Sequence, residues 1–285
     1  MMLPFTVVTG PVHKIIIKKL GISECMLKLT QDDTLNPTSV IEWIKTSGCA
    51  VLAVHSPNLV TLDHTYIEDY LYFKTFFHSL FECVNQIGEY YNRAMPLIMH
   101  TRLTYECTDT VQTIACCLEQ VLDNYPFVRL CIENGVFRFS VEKPFSNIPS
   151  NIPVIVDEFN EWMPNHPVST SLNVAHAVDT IRVCETLISA GIQDTSAPTL
   201  EQYAKCYGPQ CEIYQISQAV KYGEIRSESG IGFGDSDASI NKLKYYLELH
   251  EQEFPNALAV MSVSDTDICN FPNLKRTFNT LKEYF

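Results

Sequence analysis

The feature that most constrains the fold of this chain is a repeated pattern. A short apolar run ends in a polar residue, and a stretch with apolar residues at helical spacing follows. The runs are Cys49–His55, Pro96–His100, Val128–Glu133, Val168–His176, Glu212–Ser217 and Ala257–Val263. Between them, helical spacing predicts helices over Tyr66–Tyr91, Thr110–Asn124, Pro153–Met163, Asn241–Phe254 and Leu274–Tyr284. Strands alternating with helices argue for βα units and a parallel sheet. The motif residues His55, His100, Glu133 and His176 are 45, 33 and 43 positions apart, the length of one βα unit each. About eight such units fill a chain of this size, which predicts a single (β/α)8 TIM barrel over residues 1–285. A doubly wound open sheet would announce a phosphate-binding glycine turn after its first strand. The early glycines, Gly10, Gly21 and Gly48, do not form one.

Composition narrows the classes. With 46% hydrophobic and 19% charged residues the chain has material for a packed core. A net charge of −13 excludes a generally basic surface that would coat nucleic acid. The eleven cysteines are odd in number and sit mostly in apolar runs, which predicts reduced, buried thiols and an intracellular location. Cys206 and Cys211 form a C-x4-C pair with no second pair, so a zinc knuckle is not expected there. The start, MMLPFTVVTG, lacks the basic and apolar regions of a signal peptide, and no window of about 18 apolar residues predicts a membrane span. Asp157 and Glu158 read as N-terminal charges of their helix, and the aromatic stripe over 70–81 reads as core. Residues 5–19 are amphipathic, with a first strand or an interface both open. The glycine-rich segment from Gly230 to Asp235 lacks the residues of a phosphate loop and reads as a connecting loop.

The polar residues carry the chemistry. His55, His100, Glu133, His176 and Gln215 fall at or near the C-terminal ends of strand-like runs. In a βα barrel those ends share one face, where active sites lie. Two histidines and a glutamate form a natural zinc set that leaves a position open for water.

Several segments resemble endonuclease IV, the zinc-dependent apurinic/apyrimidinic (AP) endonuclease. Val54–Leu59 resembles its HxxYLxNL segment, Leu97–His100 its strand ending in HPG, and Val128–Asn134 its LLLEN strand. Ser171–Ala177 resembles its CLDTCHA, while Tyr214–Ser217 and Gly230–Gly234 fall where FHLND and HxxxGxGxIG would. The order and spacing fit over about residues 45–265, and the first 45 residues match poorly. The resemblance extends to the wider xylose isomerase-like barrel group. It implies a barrel with three clustered metal ions, usually zinc, that cleaves DNA 5′ of an abasic site. DNA with abasic sites is then the partner.

Carried over by residue, the resemblance makes His55, His100, Glu133, His176 and Glu224 the metal ligands. Glu133, His176 and Glu224 become the catalytic candidates. The rest of the pattern is eroded. Asn173 stands for an aspartate, Gln215 for a histidine, and Met261 or Ser262 for a bridging glutamate, while Arg226 cannot ligate. Asn58 replaces an aromatic residue that would face DNA. The expectation is therefore one zinc at most, at His55, His100 and Glu133, with weak or absent phosphodiesterase activity in DNA repair. Two other readings stand beside it. One is a non-catalytic binding or structural barrel. The other is a single-metal sugar isomerase or epimerase, although the last-strand glutamate typical of that class is missing.

Overall fold

The computed structural model describes residues 3–57, 61–62, 70–101, 108–135, 149–192, 196–218, 232–263, 265 and 270–284. The expectations that rest on Asn58, Glu224 and Arg226 lie outside the described residues. The chain forms two compact units. One comprises residues 6–133 and 154–169, the other residues 1–5, 134–153 and 170–285.

In the first unit the chain alternates regularly. The elements are β1 (Phe5–Val8), α1 (Pro11–Leu20), β2 (Glu24–Lys28), α2 (Gln31–Leu35), α3 (Pro37–Ser47), β3 (Ala50–His55), β4 (Thr61–Leu62), α4 (Tyr70–Tyr91), β5 (Met95–Thr101), α5 (Thr108–Leu122), β6 (Val128–Glu133) and α6 (Asn151–Trp162). The first 45 residues thus hold two strands and two complete helices, and residues 5–19 are a strand followed by a helix. Proline opens α1 and α3, where a missing N–H costs nothing, and left-handed Gly21 and Gly48 close them. Thr30 and Asp33 cap α2 reciprocally. The strands pair in parallel, β2 with β3, β3 with β5, β4 with β5, and β5 with β6. All seven residues of β5 are buried, as expected of a parallel strand covered on both faces. Of the aromatic stripe, Phe77 and Phe81 are core as expected, with ring centroids 5.6 Å apart, and Phe76 is half-buried; the side chains of residues 70–74 lie outside those described.

One helix differs from its expected start. α6 begins at Asn151, so Pro153 is its third residue, and its first turn carries no acidic residue. Asp157 and Glu158 therefore lie in the second turn and are not N-terminal dipole charges. Burial, reinforced by Glu161, pushes the Glu158 carboxyl above its ordinary value.

In the second unit the elements are β7 (Ser169–Asn173), α7 (Val174–Ser189), α8 (Leu200–Tyr207), a 3₁₀ turn (Gly208–Gln210), β8 (Cys211–Ile216), α9 (Asp237–Glu253), β9 (Leu258–Met261) and α10 (Pro272–Tyr284). Strand β7 pairs with β8, β8 with β9, and Phe5 with Met261 of β9, all in parallel. The run expected as strand over 168–176 stops at Asn173. His176 is the third residue of α7, not a strand-end residue. The side chain of Asn173 ends the strand because its oxygen accepts the first free N–H groups of the helix. Among the described residues no helix is long and apolar enough to cross a membrane. The described cysteines are free, with Cys25, Cys49, Cys83, Cys131 and Cys184 buried.

Candidate metal centre

Strand register brings the first three site residues together. His100 of β5 stands opposite Glu133 of β6, and His55 of β3 stands opposite Ile98, two residues before His100. Residues two apart on a strand share a face, so all three side chains project to the same side. His55 is 4% exposed, His100 8% and Glu133 0%. His55 Nε2 lies 3.4 Å from Glu133 Oε2, and His100 Nδ1 lies 3.8 Å from Glu133 Oε1. The two imidazoles meet edge to face with centroids 5.1 Å apart. The donor atoms of the three residues lie within 4.8 Å of one another.

The backbone holds this end of the sheet in place. Leu29 N–H donates to the His55 carbonyl at 3.0 Å, and Ser56 N–H donates to the Ile98 carbonyl at 2.9 Å. His55 Nδ1 lies 2.7 Å from the Ser56 carbonyl oxygen. A carbonyl only accepts, so Nδ1 carries a proton, and Nε2 is the nitrogen turned to Glu133. A histidine oriented by its second nitrogen is the usual arrangement of a metal ligand.

The set fits a divalent ion on its chemistry. Two imidazoles and a carboxylate are strong zinc ligands that leave a tetrahedral position open. Donors about 2.1 Å from one tetrahedral ion are about 3.4 Å from each other, close to the separations found here. A wholly buried carboxylate also needs a compensating positive charge, which a dication or a protonated imidazole supplies.

Among the described residues this trio is the one group of three or more metal-ligating side chains close enough to share an ion. His176 is not part of it. Its ring is buried in the second unit, with Nδ1 2.9 Å from the Asn134 carbonyl oxygen and Nε2 3.4 Å from Asn173 Nδ2. Gln215 is buried on β8, where its amide donates to Ser171 Oγ at 3.1 Å. Met261 closes β9, and Ser262 N–H donates to the Ile216 carbonyl at 2.9 Å. Cys206 and Cys211 join no such ligand group, and the Cys211 thiol donates to the Ile213 carbonyl at 3.3 Å. Sequence reasoning missed two contributors. The Ser56 carbonyl sets the His55 tautomer, and Asn134 ties its own side chain to Asn173. A backbone acceptor leaves no mark in a sequence. Asn134 was visible as the residue after Glu133, but nothing in its type announced a partner 39 positions away.

No protein-family model and no curated protein sequence matches the chain. Solved structures do. The 3-keto-D-glucoside 4-epimerase YcjR from E. coli aligns at 11% identity and a TM-score of 0.61, covering 99% of this chain and 98% of that one. A xylose isomerase domain containing protein from Salmonella typhimurium aligns at 11% identity and a TM-score of 0.59, covering 99% and 97%. The IolI protein with a bound zinc atom aligns at 12% identity and a TM-score of 0.59, covering 100% and 99%. This chain has the (β/α)8 fold of xylose isomerase-like TIM barrels. At such identities the likeness carries the fold and nothing finer, and it gives no membership in the endonuclease IV family.

Proposed function

We propose that the chain is a single-metal enzyme of the isomerase or epimerase kind, acting on a small polyhydroxylated compound. His55, His100 and Glu133 hold one divalent ion, with zinc as the leading candidate. The observation that carries this reading is the buried two-histidine, one-glutamate set, enough to hold one ion, beside neutral side chains at 173, 215 and 262. Two comparisons support it: one aligned structure is a sugar epimerase, and another holds zinc.

When bound, a divalent ion supplies Lewis acidity toward a carbonyl or hydroxyl oxygen at its open position. The Ser56 carbonyl holds the His55 Nδ1 proton, so Nε2 is the nitrogen left to bind the ion. Glu133 supplies the negative charge. Isomerisation also needs a group that moves a proton, and Asn173, Gln215 and Ser262 do not titrate in the working range. We assign that task to Glu224, the acidic residue that remains in the eroded part of the motif set.

The second reading is an endonuclease IV-like phosphodiesterase of DNA repair with little or no activity. The ordered motifs favour it, since His55, His100 and Glu133 match the first-metal set of that family. The neutral residues at 173 and 215 disfavour it, because several dications held close together need several carboxylates.

The test combines metal analysis of protein purified without chelators with two assays. One follows deuterium exchange from heavy water into a panel of aldoses and ketoses. The other follows incision of a duplex bearing one abasic site. The expected outcome is one zinc per chain, exchange into a sugar that Glu133→Gln abolishes, and no incision. Incision within about tenfold of an authentic endonuclease IV would replace this reading with the second. One bound zinc with neither activity would point to the binding or structural barrel.

A further inference from the structure

The endonuclease IV resemblance implies further cations beyond the first, with ligands at the positions of Asn173, His176 and Gln215. The residues present do not fit them. Asn173 Oδ1 already accepts from the backbone N–H groups of Ala175 at 3.1 Å and His176 at 3.4 Å, capping α7. The Asn173 amide nitrogen faces His176 Nε2 at 3.4 Å. His176 Nδ1 lies 2.9 Å from the Asn134 carbonyl oxygen, an atom that only accepts, so Nδ1 bears the proton. In the neutral ring Nε2 is then the acceptor for the Asn173 amide. Asn134 completes the cluster in both directions: its Nδ2 donates to the Asn173 carbonyl at 3.0 Å, and its Oδ1 accepts from the Asn173 N–H at 2.7 Å. Asn134, Asn173 and His176 are at most 2% exposed. None needs a formal charge to satisfy these bonds.

We infer that His176 is a positioning residue, not a metal ligand. Together with Asn173 it forms a neutral clamp on Asn134, the residue peptide-bonded to Glu133. This rests on the reading of Glu133 as a ligand. Turning the Nε2 lone pair to a metal would break its bond with the Asn173 amide in a buried site, which is costly. Holding the backbone at Asn134 instead restrains the strand end that carries the Glu133 carboxylate. Groups that orient metal ligands in this way are worth about ten- to a hundredfold in metal affinity.

The experiment is a zinc titration of the whole chain, followed by calorimetry and by nitrogen-15 NMR of the imidazoles. Zinc is expected to move the His55 and His100 ring nitrogens and to leave both His176 ring nitrogens unshifted, with the proton on Nδ1. His176→Ala is expected to bind one zinc still, about ten- to a hundredfold more weakly. His176→Gln, which keeps an amide N–H for the Asn134 carbonyl, should recover part of that loss. A zinc-induced change at His176 Nε2, a second ion that His176→Ala removes, or unchanged affinity in His176→Ala would each overturn the proposal. Should His176→Ala fail to fold, the zinc response of the unaltered protein decides: a His176 Nε2 resonance that stays in place while those of His55 and His100 move supports the clamp, and one that shifts with zinc overturns it. Zinc that moves no histidine would sink the metal-centre reading, whereas an Nε2–H tautomer of His176 would sink the clamp and leave that reading intact.

Discussion

The strands of the two compact units end in different chemistry. In the first, β3, β5 and β6 end near His55, His100 and Glu133, three ionisable groups buried against one another. In the second, β7, β8 and β9 end near Asn173, Gln215 and Ser262, all neutral and hydrogen-bonded to their surroundings. The same βα repeat thus serves two purposes. A buried carboxylate flanked by imidazoles needs a cation, whereas an amide in the same place becomes a cross-link. At residue 173 the side-chain oxygen caps the helix, as an aspartate's would, and it is the amide nitrogen that adds a bond to a histidine where a carboxylate would offer a second oxygen.

The largest expected effect would break this contrast if it failed. Saturating zinc at about a thousand times its Kd should stabilise the wild-type chain by about 4 kcal/mol, read as a rise in Tm. Glu133→Gln should abolish the rise, and Gln215→Ala should leave it in place. A zinc-dependent rise that survives Glu133→Gln would mean that the ion sits elsewhere.

Next is a test of how tightly the neutral unit is built. A Cβ at Gly232 would strike Thr277 Oγ1 and come within 2.7 Å of the Asn273 carbonyl oxygen. Thr277 is fully buried and accepts the Phe233 N–H at 2.8 Å, so it cannot retreat without losing that bond. Gly232→Ala should cost about 2 to 3 kcal/mol in denaturant unfolding, with the zinc response intact. A cost below about 0.5 kcal/mol would show that α10 gives way easily.

A smaller effect is expected at Asn160, which pairs with the backbone of Val168 in both directions, at 2.7 and 3.1 Å. Asn160→Ala leaves the half-buried N–H and carbonyl of Val168 without this partner. It should lower stability by about 1 to 2 kcal/mol, measured by urea unfolding.

The smallest effect is pH-dependent. Tyr245 donates to Glu201 Oε1 at 2.5 Å, and that bond, with backbone and Thr199 help, holds the Glu201 carboxyl below its ordinary value. A lowered carboxyl stabilises the fold above the unfolded pKa, and the contribution vanishes as pH falls through the folded one. Because the pair is exposed, Tyr245→Phe should cost at most about 0.5 kcal/mol at pH 7 and nothing at about pH 2. A cost that persists in acid would show that the ring's packing, not its hydroxyl, matters.

Much of this was legible in the residues, and the reasons are local. Apolar runs ending in His55, His100 and Glu133 predicted three strand ends within a residue or so of their positions, because strand period and burial are written in residue type. The βα alternation predicted the barrel. The neutral residues at 173 and 215 set the expectation of one ion at most, since ligand chemistry follows from identity alone. What tertiary structure decided is everything that depends on a partner far along the chain. The sequence read residues 168–176 as one run. The structure ends it at Asn173, where an amide oxygen meets two helix N–H groups. It read Asp157 and Glu158 as helix-start charges, and two more residues before Pro153 moved the start away from them. It counted His176 with the ligands. Only the fold brings Asn134 beside it, 42 residues away, and so sets which ring nitrogen carries the proton. Residue type determines which atoms are able to bind a metal, and packing determines which of their lone pairs are already taken.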